Sequence, residues 1–257
     1  MSTLDNHCAL VTGASGGIGR ATAVELAARG ARVAIHGFRN LDAARETAEL
    51  VRQKAKVRQE VPVLSGDLST LAAAREVVDG AARELGGLDI LVNNAGDLVK
   101  RNPLAEMTDE FFAQVMGANV NSALFCTQAA VGHIAAGNRG GAIVNMASLA
   151  AWNGGGPGSA AYCAAKGAVV SLSKALAKEL APRGIRVNCV SPGLIGNTAF
   201  HARFTKPEAF EAATQNIPLG RSGEPDEVAR VIAFLAGDDA SFLAGETVEI
   251  NGGMYMR

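Results

Sequence analysis

Tyr162 and Lys166 stand four residues apart in "GSAAYCAAKGAVVSLSKALAKEL", a stretch from Gly158 to Leu180 that is otherwise mostly small or apolar. On an α-helix that spacing is just over one turn, with a rise of roughly 6 Å, so both side chains emerge on one face. A phenol beside an ammonium is a candidate proton donor, because a nearby positive charge favours the phenolate. The plain alternative is an amphipathic boundary, with the lysine stem lying over the ring. Ser148 brings a hydroxyl at the end of "AIVNMAS". Alone it reads as a turn or helix-cap residue. A phenol, an ammonium and a hydroxyl together suit proton transfer to an oxygen atom that a second hydrogen bond holds in place.

These groups need a scaffold, and the pattern of the chain describes one. Short apolar runs at 8–12, 32–36, 61–65, 89–93, 142–147, 186–191 and 247–250 read as strands. Stretches with helical periodicity separate them, among them "GRATAVELAARG", "LDAARETAELVRQKA", "LAAAREVVDGAARELG" and "DEVARVIAFLAG". Strands apolar on both faces and separated by helices indicate a parallel sheet covered on both sides. The expected fold is α/β: a single-domain Rossmann-type three-layer sandwich over residues 1–257, with about seven parallel strands. Residues 193–216 are the least regular stretch, and a segment there would cover a ligand at the sheet's carboxyl edge.

A glycine-rich turn joins the first strand to the first helix. Gly13, Gly17 and Gly19 in "TGASGGIG" permit a tight turn and let backbone approach a pyrophosphate at a positive helix N-terminus. Simple strand-to-helix geometry would also use glycine, but this junction of a parallel α/β chain is where a dinucleotide binds. The second strand ends in "VAIHGFRN", with Gly37 where an acid would hold the ribose of NAD and Arg39 two residues later. Arg39 is either an exposed loop residue or the ligand of a 2′-phosphate, and the missing acid favours NADP over NAD. Ser15 offers the same phosphate a neutral hydrogen bond. Asp67 in "SGDLS" has two readings: an acceptor for the adenine amino group, or a turn or helix-cap residue. "VNNAG" sets Asn94, Ala95 and Gly96 at the carboxyl end of the fourth strand, where Asn93 and Asn94 brace the turn or shape the cofactor site.

Composition removes several classes of function. The 257 residues carry a net charge of −1, which leaves no electrostatic footprint for nucleic acid or an anionic membrane. No apolar run approaches the roughly 18 residues of a membrane span, and "MSTLDNHCALVTG" lacks the pattern of a secretory signal. Cys8, Cys126, Cys163 and Cys189 are scattered and read as small buried residues of a reducing, cytoplasmic compartment. The four histidines have no metal-ligand spacing, so no metal is expected.

In order and spacing, "TGASGGIG", "NNAG", Asn119, Ser148, Tyr162-x-x-x-Lys166, "NCVSPG" and the C-terminal "EINGG" resemble the short-chain dehydrogenase/reductase family. The overall pattern is most similar to the branch of the 3-oxoacyl-(acyl-carrier-protein) reductases, although "DLVKRNPLAEM" departs from the run expected after Gly96. The resemblance implies an NAD(P)-dependent enzyme that moves a hydride between nicotinamide and a carbonyl or secondary alcohol, on a 3-oxoacyl-type or similar small substrate. Sugar or polyol dehydrogenases share the C-terminal pattern, and a non-catalytic dinucleotide-binding sensor is a third reading. Carried over by position, Tyr162 is the general acid/base. Lys166 is its pKa-lowering neighbour and a ligand of the nicotinamide ribose, Ser148 orients the substrate oxygen, and Asn119 holds a water that links Lys166 to solvent. From the residues alone, Asn119 is a polar interruption in a long helix around 108–132. The cofactor set implied by the resemblance and the turn comprises Gly13, Ser15, Gly17, Ile18, Gly19, Arg39, Asp67, Leu68, Asn94, Ala95, Gly96, Tyr162, Lys166, Pro192, Gly193, Ile195 and Thr198. Trp152 is either a loop aromatic or part of the substrate wall, together with Phe200–Phe210. A small-molecule partner and a homotetramer with two-fold axes are further implications, with "GGMYMR" at or near a subunit contact.

Overall fold

The computed structural model describes residues 3–55, 60–137 and 140–256. Its strands are β1 (Cys8–Val11), β2 (Arg32–Gly37), β3 (Val63–Ser65), β4 (Ile90–Asn93), β5 (Gly141–Met146), β6 (Ile185–Pro192) and β7 (Thr247–Ile250). Each falls within a residue or two of an expected run. The helices are α1 (Gly17–Ala28), α2 (Leu41–Ala55), α3 (Leu71–Leu85), α4 (Asp109–Met116), α5 (Ser122–Ala136), α6 (Ala150–Asn153), α7 (Ala160–Leu180), α8 (Ala199–Phe204), α9 (Pro207–Gln215) and α10 (Pro225–Ala236). The strands form one seven-stranded sheet in the order β3-β2-β1-β4-β5-β6-β7, and every pairing is parallel.

Both faces of the sheet are buried because successive side chains along each strand point to opposite sides. Ala9, Val11, Ile90, Val92 and Val144 pack towards Leu26, Val51 and Ile232 of α1, α2 and α10. Leu10, Leu91, Ile143 and Val187 pack towards Val78, Ile134 and Leu180 of α3, α5 and α7. The two faces of the sheet therefore carry separate apolar cores. Among the described residues, no helix is long and apolar enough to cross a membrane. The expected C-terminal contact segment ends in Arg257, which lies outside the described residues.

The long helix expected around 108–132 is interrupted. Between α4 and α5, residues Gly117–Asn121 form a π-helical turn that contains Asn119. Asn119 Nδ2 donates to the carbonyl of Val115, four residues back, at 2.8 Å and to that of Asp97 at 2.7 Å. A side-chain donor occupying an i−4 carbonyl competes with the backbone ladder, which accounts for the local widening.

A polar network crosses the second core. Asn93 Nδ2 donates to Ala123 O, to Thr127 Oγ1 and, at 2.9 Å, to Asn145 Oδ1. Asn145 in turn donates to Ser173 Oγ on α7 at 2.9 Å. Asn93 thus braces β4 against α5 and β5 from inside the sheet. Replacing Asn93 by Ala strips the donor from a fully buried Asn145 Oδ1, at a cost of about 1–3 kcal/mol for that group alone. Urea denaturation of Asn93→Ala should show a lowered midpoint with an unchanged slope; an unaltered midpoint would contradict the network's role.

Candidate active site

The cleft opens at the carboxyl edge of the sheet, where β1 is flanked by β2 on one side and β4 on the other. Chains leaving these strands diverge there, the general location of ligand sites in open α/β sheets. Gly13, Gly17, Ile18, Gly19, Asn94, Ala95, Gly96, Ser148, Tyr162, Lys166, Pro192, Gly193, Ile195 and Thr198 line its inner part. Ser15, Arg39, Asp67 and Leu68 line an outer part that shares Gly13, Ala95, Gly96, Ala199 and Phe200 with the inner one. Of the residues expected to carry catalysis or hold the cofactor, all but Asn119 border this continuous cleft. Asn119 is buried behind its wall.

The glycine turn has the shape that a bound pyrophosphate needs. Gly13 has φ +63°, and a Cβ there would lie 2.8 Å from the Cα of Ala95. A Cβ at Gly19 would lie 2.5 Å from both Asn94 Nδ2 and the carbonyl of Gly13. Helix α1 starts at Gly17 with no acidic residue in its first turn and no side chain capping it, so its first N–H groups face the cleft unopposed. Asn94 fastens the turn, donating from Nδ2 to Thr12 O at 2.9 Å and to Gly13 O at 3.0 Å. Its side chain braces the turn while the residue still borders the cleft.

Helix α7 carries Tyr162 and Lys166, and the loop after β5 carries Ser148. Ser148 accepts from the N–H of Ala150 at 3.2 Å, so it is a turn residue that borders the same cleft as Tyr162. Lys166 is buried, with Nζ donating to the carbonyl of Met146 at 2.8 Å. Nζ lies 5.6 Å from the centroid of the Tyr162 ring, so the ammonium sits over the ring and donates its hydrogen bond to Met146. The expected lowering of the phenol pKa by Lys166 is therefore not a property of the protein groups alone. Tyr162 keeps part of its surface open to the cleft, yet burial pushes its phenol up to about 12, opposed by the nearby Ser148 hydroxyl. Burial also brings Lys166 down to about 8.

Asn119 Oδ1 is buried without a hydrogen-bond partner. It points to the space beside Gly96, where a Cβ would lie 2.6 Å from Oδ1 and 3.0 Å from Lys166 Nζ. Thr198 stands opposite the glycine turn and caps α8 through its hydroxyl. Asp67 accepts from Ser69 N at 3.0 Å as a turn residue while lining the outer cleft, and the cap of α3 is Thr70. Trp152 does not border the cleft; its indole N–H donates to Ser191 Oγ at 3.1 Å, and its ring packs on Ala147, Val169 and Cys189.

Several neighbours escaped the sequence patterns. Asp97, directly after "NNAG", accepts from Arg203 of α8 at 3.3 Å and pairs with Arg39 at 3.7 Å. The Phe200 ring lies 5.6 Å from that of Tyr162 and contacts His201 and Phe204, so the segment expected to cover the cleft is an aromatic cluster on two short helices. Arg101 ties that cluster down, donating to Phe204 O and Pro157 O at 2.9 Å each. The signal for Asp97 was its adjacency to a site motif. None existed for Arg101, whose partners are backbone carbonyls more than fifty residues away. Gly37 also has a packing reason to be glycine, because a Cβ there would lie 2.7 Å from Ala44 Cβ and 2.9 Å from Ser15 Oγ.

Fold and cleft together define a dinucleotide-type α/β oxidoreductase, and comparison with known proteins agrees. A family model described as Enoyl-(Acyl carrier protein) reductase matches residues 13–255. The chain is 37% identical over 253 residues to the 3-oxoacyl-(acyl-carrier-protein) reductase FabG of Staphylococcus epidermidis, covering 98% of this chain and all of that one. A short chain dehydrogenase from Burkholderia cenocepacia, solved in complex with NADP, superposes with a TM-score of 0.89 at 32% identity, covering 98% of this chain and 99% of that one. An NADH-dependent reductase of alginate metabolism, A1-R′, gives a TM-score of 0.85 at 29% identity, with 99% of each chain covered. The chain belongs to the short-chain dehydrogenase/reductase family and is an oxidoreductase.

The lysine's depressed pKa has a measurable consequence. Lys166 is charged below pH 8 and loses its proton as the pH rises through about 8. Turnover in the reducing direction should fall on that limb, by about tenfold per pH unit once the ammonium is lost. Lys166→Arg, slower throughout, should lack the limb because a guanidinium stays charged. A wild-type rate that stays flat to pH 10 would rule out a required ammonium.

Proposed function

We propose that the protein is an NADP-dependent reductase of small carbonyl compounds, of the 3-oxoacyl type, working reversibly on the matching secondary alcohols. The observation that carries this is the convergence of Ser148, Tyr162 and Lys166 on the same cleft as the glycine turn. A bound nicotinamide dinucleotide supplies the hydride. With its phenol held near 12, Tyr162 keeps its proton at neutral pH and is the acid for the developing alkoxide oxygen. Ser148 donates a second hydrogen bond to that oxygen and fixes the carbonyl. Lys166 holds its ammonium over the ring through Met146, positioned to bind a ribose hydroxyl and to favour the phenolate that forms. The unpartnered Asn119 Oδ1 is an acceptor for a water that would return the proton past Lys166. Phe200, Met146 and Ile195 give the inner cleft an apolar lining, which favours an acyl carbonyl over a polyol.

Tyr162→Phe removes the proton donor with little change in volume. Turnover should fall by about 10²–10⁴-fold, while dinucleotide affinity, read by calorimetry, stays within about threefold. The substrate arm of the experiment is a panel of acetoacetyl thioesters, diketones and keto-sugars with NADPH. Near-normal turnover by the variant would overturn the mechanism, and preference for keto-sugars would move the substrate class to the sugar and polyol dehydrogenases.

The cofactor preference rests on the outer cleft. No carboxylate stands at Gly37 or Phe38, whereas Arg39 and Ser15 border the same space as Asp67. Arg39 is 66% exposed in its side chain, so a contact with a 2′-phosphate is worth well under the roughly 1.5–3 kcal/mol of a sheltered charged hydrogen bond. Arg39→Ala should therefore reduce the NADPH-over-NADH ratio of kcat/KM by about three- to tenfold. An acid at position 37 would collide with Ala44, so the reversing substitution is Phe38→Asp, at a half-exposed site. Wild-type protein that favours NADH would contradict the assignment of Arg39.

A further inference from the structure

We infer that His36 is a positioning residue for the dinucleotide, a neutral imidazole that clamps the glycine turn to the loop after β3. This extends the proposed cofactor site to a residue outside the family pattern, and it rests on that site being real. His36 is the penultimate residue of β2 and 2% exposed, in line with Val33, Ala34 and Ile35 of the same strand. Packing alone would be served by another aliphatic residue.

Both ring nitrogens are instead engaged by backbone. Nδ1 lies 3.2 Å from the N–H of Gly13, and Nε2 lies 3.0 Å from the carbonyl of Gly66. An N–H can only donate and a carbonyl only accept, so the network requires a lone pair on Nδ1 and the proton on Nε2. One tautomer satisfies both partners. Burial lowers the pKa of the ring, which keeps it in this neutral form. The main chain of His36 adds a third tie, since its carbonyl accepts from Ala14 N at 2.9 Å.

The clamped segments form two limbs of the outer cleft. Gly13, with Ser15, is the turn that cradles phosphate; Gly66 leads into Asp67 and Leu68 on the adenine side. A group entering between them contacts both, and their separation is set through one imidazole. The same Gly13 whose N–H makes this bond has a left-handed backbone conformation, φ +63°, against the wall at Ala95. Pre-set spacing reduces the ordering cost of binding, so the clamp's contribution should appear in cofactor affinity and leave the chemical step alone.

Two substitutions separate the two ties. His36→Leu keeps the bulk and loses both hydrogen bonds; His36→Asn returns an acceptor near the Nδ1 position, within reach of Gly13, but cannot reach Gly66. Affinity for NADP⁺ and for the fragment 2′,5′-ADP is measured by calorimetry, alongside thermal unfolding and steady-state kinetics. Expected for His36→Leu is at least a tenfold weaker Kd for both ligands, a KM for cofactor raised in parallel and a kcat within threefold of wild type. His36→Asn should recover at least a third of the lost logarithmic affinity. If His36→Leu does not fold, His36→Gln, which keeps the donor to Gly66 but lacks the acceptor for Gly13, takes its place with the same expected weakening. A Kd within twofold of wild type in the folded variant overturns the assignment, as does equal weakening by His36→Asn. Wild-type protein that binds neither NADP⁺ nor NAD⁺ overturns the dinucleotide site itself, whereas tight wild-type binding with unaltered variants removes only the clamp.

Discussion

The close approach of the β1 turn to the end of β4 is the constraint on which the rest of the cleft depends. Gly13 sits against Ala95 with no room for a Cβ, and Asn94 spans the gap with two hydrogen bonds to Thr12 and Gly13 carbonyls. Because β1 pairs with β2 on one side and β4 on the other, this contact lies where the two halves of the sheet diverge. A side chain at Gly13 would push the halves apart and move α1, whose N-terminus faces the cleft. The same crowding explains Gly19 and Gly37, where packing against neighbours, and no special backbone angle, excludes a larger residue.

Burial dominates the electrostatics around Tyr162 and Lys166. Tyr162 and Lys166 shift in opposite directions, the phenol up and the ammonium down, because desolvation disfavours the charged form of each. The two side chains meet as a ring under an ammonium, while the hydrogen bond of the ammonium goes to the carbonyl of Met146. A site arranged in this way is poised to respond to a further charge. A positive ring placed beside the phenol acts in a medium with little water to screen it, where a given charge has a larger effect than at the surface. The carboxylate of Asp97 pushes the other way and raises the phenol further, and its two arginine partners temper that effect.

The cover of the cleft is held by polar ties at its edges and aromatic contact at its centre. Arg101 and Arg203 fasten α8 to the loop before α7 and to Asp97, while Phe200 rests near Tyr162. These ties are exposed and individually weak, as suits a segment that must admit and release a ligand.

Much of the fold was legible because its signals are local. Seven apolar runs of strand length alternate with amphipathic helical stretches, and every run forms a strand in the parallel sheet. The cleft residues were legible for a related reason: glycines, Ser148 and the Tyr162–Lys166 spacing are short patterns with a direct chemical meaning. Asn119 could be read from the chain only as a polar break in a helix. Folding decided that its amide would take the Val115 and Asp97 carbonyls, force a π-helical turn and leave one oxygen facing Lys166. Trp152 and Asp67 were ambiguous in sequence, since a loop aromatic or a turn carboxylate is compatible with several surroundings. Ser191, 39 residues away in the chain, drew the tryptophan out of the cleft, and Ser69 engaged the carboxylate in its own turn. His36, Arg101 and the Asp97 ion pairs could not be read at all. Their partners are backbone groups and charges brought near by the sheet order, and a hydrogen bond between residues distant in sequence leaves no periodicity or spacing behind. The sequence determined which elements form and what chemistry they can carry; tertiary structure decided which polar groups face one another, because that depends on distances only the packed sheet and helices define.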